Sequence, residues 1–132
     1  VLSGADAEFL LEKVASGRYK IRIGQIWKMP ELSGQSYLLL DLDNQKKRPN
    51  IGEIRRRISR CGLRVLQIQT RRSPSGTGFH CVVTIRGKHL RMERIALQAI
   101  LESDFNREAE NFKRAKLALP EWGENWNVLF RK

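Results

Sequence analysis

Cysteine is scarce in this chain: Cys61 and Cys81 stand alone. With no Cys-x-x-Cys pair, a zinc module built on paired cysteines is excluded. Cys61 falls on an apolar helical position and Cys81 on an apolar strand position. Both read as small buried hydrophobes of a reducing compartment. No apolar run approaches the ~20 residues of a membrane-spanning helix, and no signal peptide is visible. The expected setting is cytoplasmic, neither secreted nor at a membrane. Acid is the other shortage: 14 Asp and Glu stand against 25 Lys and Arg, a net charge of +11. A surplus of that size favours a polyanionic partner, most simply nucleic acid or nucleotide. Internal repeats and low-complexity tracts are also missing, and 132 residues suffice for one domain with one core.

What is present reads as an alternation of strands and helices. Residues 5–15 predict a short helix, with Phe9, Leu10 and Val14 at helical spacing. Tyr19–Ile26 alternates apolar and polar residues as a half-buried strand does. These form an N-terminal helix-strand extension, residues 1–35, beside a core of residues 36–132. In the core, Ser36–Leu42 is a strand. Pro49-Asn50 opens a helix whose Ile51, Ile54, Ile58 and Cys61 share a face, and Gly62 ends it. Arg55, Arg56, Arg57 and Arg60 are placed on its other face. Leu63–Thr70 is a strand, Arg71–Gly78 a hairpin loop, and Phe79–Ile85 the return strand. A helical pattern runs from about His89 to Leu119 with a break near Ser103-Asp104, and Asn125–Arg131 closes as a short strand. His89 is expected at the surface.

The order β-α-β-β-α-β predicts an α+β, RRM-like or ferredoxin-like fold. Its antiparallel sheet would have four strands, Ser36–Leu42 and Phe79–Ile85 central, and both helices on one face.

Two short runs carry the chemistry. The first is the apolar strand that ends in Asp41-Leu42-Asp43. Alternate strand residues share a face, so Asp41 and Asp43 lie together, roughly 6–7 Å apart. Two carboxylates so placed repel each other unless a cation sits between them, and hard ions such as Mg²⁺ or Mn²⁺ favour carboxylate oxygen. The second run is Ser73-Pro74-Ser75-Gly76-Thr77-Gly78-Phe79-His80. Its small residues let backbone approach a phosphate, and a His follows on the strand. The plainer alternatives are a solvated turn and an ordinary hairpin. Arg71 and Arg72 beside the hairpin are suited to bidentate phosphate contact. Lys46-Lys47-Arg48 is either a solvated turn or a phosphate contact. Trp27, Trp122 and Trp126 read more readily as core-edge cover than as base-stacking residues.

Together, the Asp41-x-Asp43 strand end, the Ser75-Gly76-x-Gly78-x-His80 hairpin and the RRM-like order between them resemble the catalytic core of the archaeo-eukaryotic primase superfamily. The resemblance covers roughly Ser36 to Asp104. It implies a metal-dependent nucleotidyltransferase, encoded by a cell, virus or plasmid, that extends a nucleic-acid 3′ end or starts a primer in replication. It implies that Asp41 and Asp43 hold Mg²⁺ or Mn²⁺, with Asp104 as candidate third carboxylate. His80 would contact the triphosphate of an incoming nucleotide. Ser73, Ser75, Gly76 and Gly78 would shape the loop against those phosphates, with Arg71 and Arg72 beside them. Nucleoside triphosphates and DNA or RNA are the implied partners, with a helicase or other replication protein as a further candidate. Gly78 departs from the family, which often has Ser there. Asp104 also fits a helix N-terminus, where Asp bonds backbone N–H groups. Two other functions share the fold and charge: a non-catalytic RRM-like nucleic-acid-binding protein, and a decayed primase-fold accessory protein.

Overall fold

The computed structural model describes residues 12, 29, 32–42, 49–74, 76, 78–117 and 126–127. Three strands, β1 (Gln35–Leu42), β2 (Val65–Arg72) and β3 (Phe79–Arg86), form an antiparallel sheet in the order β1-β3-β2. Three helices accompany it: α1 (Ile51–Arg60), α2 (Arg91–Ile100) and α3 (Phe105–Leu117). The architecture is α+β and compatible with a small ferredoxin-like core.

Strand alternation sorts the side chains. Leu38, Leu40 and Leu42 of β1 lie level with Val83, Cys81 and Phe79 of β3, and all six are buried. This face joins Ile54 and Ile58 of α1 and Ile95, Ala96 and Leu97 of α2 in one apolar cluster. Both cysteines belong to it, and burial pushes the Cys81 thiol up to about 11.

Local signals set the helix ends. Asn50 caps α1, its side chain accepting from the Glu53 N–H at 3.1 Å. Gly62 follows the helix at φ +81°, the left-handed conformation glycine tolerates best. Arg55, Arg56 and Arg60 are exposed as expected. Arg57 instead turns inward, donating to the Ile100 carbonyl at 3.3 Å and pairing with Glu53 and Glu102. The long helical pattern does break, between Ile100 and Phe105, and Glu102 sits there at φ +68°.

The structure departs from expectation in three places. β2 starts and ends two residues later than predicted, with a bulge between Val65 and Gln67. His89 is buried rather than exposed, with a ring nitrogen 3.6 Å from Glu93. Gly87, at φ +102°, turns the chain inward there, and the His89 N–H donates to the buried Ser36 hydroxyl at 2.8 Å. Finally, no fourth strand lies beside β1 among the described residues; of the predicted Asn125–Arg131 strand only Trp126 and Asn127, in a turn and a bend, are described, and the rest lies outside them.

Side chains occupy that edge of β1 instead. Arg94 donates to the Tyr37 carbonyl at 2.8 and 3.0 Å. The Leu39 N–H donates to Gln98 Oε1, and the Leu39 carbonyl accepts from Arg107. The Asp41 N–H donates to Ser103 Oγ, and its carbonyl accepts from the Asp104 N–H. These edge groups are thus satisfied by α2, α3 and the turn between them. Glu12 is helical, within the predicted 5–15 helix; the rest of that helix and the Tyr19–Ile26 strand lie outside the described residues.

Candidate functional site

On the sheet face away from the core, one row of the register brings three predicted residues together. Asp41 of β1 is level with His80 of β3, and His80 with Arg71 of β2. Asp41 Oδ1 is 3.7 Å from His80 Nε2, and Arg71 Nη2 is 3.3 Å from His80 Nδ1. A guanidinium has only donors, so this contact favours the tautomer in which Nδ1 accepts and the proton sits on Nε2, the nitrogen nearer Asp41. Cation, imidazole and carboxylate therefore cross the sheet in line. The His80 side chain is 4% exposed and that of Asp41 21%, while Arg71 is exposed, so the row is buried at its centre and meets solvent at both ends.

Asp41 is also fixed from behind. Its N–H donates at 2.9 Å to Ser103, and its carbonyl accepts at 2.6 Å from Asp104. Asp104 therefore stands next to Asp41, but its side chain has another task. Its Oδ2 accepts the Arg107 N–H at 2.9 Å, capping α3.

A buried polar cluster backs this turn. Glu108 accepts from Arg107 at 2.7 Å, Gln98 at 2.8 Å and Asn111 at 2.7 Å. Asn127 joins through Gln98, Arg107 and Asn111. Desolvation pulls the Arg107 guanidinium down, while Glu108, Asp41 and Asp104 hold its charge in place.

The hairpin closes on itself. The Gly78 N–H donates to Ser73 Oγ at 3.2 Å, and the Gly76 N–H to the Ser73 carbonyl at 2.9 Å. Arg72 donates to the Gly76 carbonyl at 3.3 Å and lies 5.0 Å from the Phe79 ring centre. The Gly76 and Gly78 amides predicted to approach phosphate are thus engaged within the turn. Ser75 and Asp43, like Lys46, Lys47 and Arg48, lie outside the described residues. Among the described residues no three His, Cys, Asp or Glu side chains form a metal-binding group. A cation site at Asp41 therefore draws further ligands from beyond them, and Asp43 is the sequence's candidate. Trp126 is fully buried, with the Arg94 guanidinium 4.8 Å from its ring centre, and serves the core.

Sequence reasoning missed Ser103, Arg107, Gln98 and Glu108. A signal existed: Arg107, Glu108 and Asn111 lie on the same helical stripe as the buried Phe112 and Ala115. Charged residues on an apolar stripe mark a buried network.

No family model matches the chain, and neither the curated proteins nor the solved structures yield a match. No described helix is long and apolar enough to cross a membrane.

Proposed function

We propose that the chain is a metal-dependent nucleotidyltransferase of the primase-polymerase kind, adding nucleotides to a nucleic-acid 3′ end or starting a primer. The Asp41–His80–Arg71 row is the observation that carries this reading. It sets a hard oxygen ligand and two nitrogen donors side by side at the end of the sheet. The half-buried Asp41 carboxylate suits Mg²⁺ or Mn²⁺ by ligand type, with Asp43 as its companion. An ion held by Asp41 and Asp43 would supply activation of the attacking hydroxyl and neutralisation of the leaving pyrophosphate.

The chain's own groups do the rest. Arg71 meets the phosphates of a nucleoside triphosphate as a fixed cation, whereas Arg72 lies on the other face against Phe79. In the tautomer that Arg71 favours, His80 carries its Nε2–H on the Asp41 side of the ring, the side on which a phosphate would be met. The bonds from Ser103 and Asp104 keep Asp41 from shifting, so little reorganisation is needed when substrate charge arrives. With the hairpin amides already bonded, phosphate recognition rests on side chains.

Calorimetric titration with Mn²⁺ tests the reading. Wild type should bind, and Asp41→Asn should bind at least tenfold more weakly. Equal binding by the two would remove Asp41 from the site and with it the transferase reading. Incorporation of labelled nucleoside triphosphate into a primed template should follow the same order. A binding module without catalysis has one observation in its favour, the exposed Tyr37 on this same face.

A further inference from the structure

The open face continues beyond the Asp41 row. The next rows are Leu39–Val82–Gln69, Tyr37–Thr84–Gln67 and Gln35–Arg86. With the Asp41 row these rows hold eleven residues, of which Asp41 is the one acid and Tyr37 the one large aromatic. Gln67, Gln69, Arg71 and Arg86 are exposed, and Tyr37 is 45% exposed. Leu39 and Val82, half-buried, lie between Tyr37 and the Asp41 row.

Several features set Tyr37 apart. Its backbone is anchored by the two bonds from Arg94 to its carbonyl. Its phenol oxygen accepts from Gln35 Nε2 at 3.2 Å. At 45% exposure Tyr37 offers aromatic surface to solvent, where a nucleobase stacks well whatever its identity. An arginine lies toward each end of the strip, Arg86 in the row beyond Tyr37 and Arg71 in the Asp41 row. Four residues of strand separate Tyr37 from Asp41, about 13 Å. That length accommodates a short run of nucleotides.

We propose that this strip is a track for single-stranded nucleic acid, with Tyr37 stacking on one base and Arg86 and Arg71 meeting phosphates at its ends. Gln67 and Gln69 offer amide donors and acceptors to base edges. Charge complementarity selects the occupant: an extended polyanion with planar, stackable groups fits a basic strip with one exposed ring, whereas an acidic peptide would leave the ring unused. The proposal deepens the transferase reading, on which it rests for direction. The strand would run toward the Asp41 row, where its end would react.

Fluorescence anisotropy of the full chain with labelled oligothymidylate and oligouridylate, without Mn²⁺ or nucleotide, tests the track. Tyr37→Ala should weaken binding about tenfold, and Tyr37→Trp should stay within about twofold of wild type. Arg86→Ala should lower affinity and reduce the salt slope by about one. The oligonucleotide bound more tightly identifies the sugar the track accepts. Unchanged binding by Tyr37→Ala would overturn the proposal. So would equal losses in Tyr37→Ala and Tyr37→Trp, or no binding of either oligonucleotide by wild type. Mn²⁺ titration separates the two readings. Tyr37→Ala that loses oligonucleotide but keeps Mn²⁺ supports the track. Wild type that binds oligonucleotide through Tyr37 but takes no Mn²⁺ also supports the track, while ending the transferase reading.

Discussion

Glu108 is a carboxylate 1% exposed to solvent and ringed by donors. Burial pushes its carboxyl from the ordinary 4.5 up to about 7, against the pull of Arg107, Gln98, Asn111 and Ser103. The folded chain therefore keeps a proton there that the unfolded chain releases. Glu108's contribution to stability is full below about 4.5 and falls as pH rises through about 7. Glu108→Gln cannot titrate at this site. The melting temperature of wild type, taken relative to Glu108→Gln, should decline across that window and level off above it. A flat difference would mean that Arg107 holds the carboxylate ionised throughout.

At the scale of elements, the edge of β1 and the start of α3 are built as one joint. Asp104 serves both, giving its N–H to the Asp41 carbonyl and its carboxylate to the Arg107 N–H. Capping and metal binding make different demands on its side chain. Asn caps about as well as Asp, whereas Ala does not. Urea denaturation should find Asp104→Asn within a few tenths of a kcal/mol of wild type and Asp104→Ala about 1 kcal/mol less stable. Mn²⁺ affinity of Asp104→Asn should match wild type within about twofold. A large drop in that affinity with unchanged stability would return Asp104 to the metal site.

At the scale of the whole molecule, exposed arginines among the described residues lie on two sides of the sheet. Arg55, Arg56 and Arg60 are exposed on α1, whose Ile54 and Ile58 pack against the sheet's core face. Arg71 and Arg86 lie on the opposite, open face. If the open face receives the polyanion, position should matter more than the sum of charge. Oligonucleotide affinity should fall steeply with salt, because each neutralised phosphate releases counterions. Arg71→Glu with Arg86→Glu should weaken binding far more than Arg55→Glu with Arg60→Glu. Equal effects would indicate diffuse attraction without a defined track.

Much of this was legible in the residues. The alternation in Tyr37–Leu42 and Phe79–Ile85 fixed which side chains face the core, and so put Asp41 and His80 on one face. Asn50 and Gly62 marked the ends of α1, and Ser103-Asp104 the break between α2 and α3, because caps and left-handed turns are local preferences. The partner of β1's outer edge was not legible. Whether a fourth strand or side chains satisfy the Tyr37, Leu39 and Asp41 backbone depends on contacts between residues some 60 positions apart in sequence, as for Leu39 with Gln98 and Asp41 with Ser103. Periodicity carries no information about such pairs. The same holds for Arg71 beside His80: the hairpin suggested proximity, but only the register of β2 on β3 set a nitrogen of one against a nitrogen of the other.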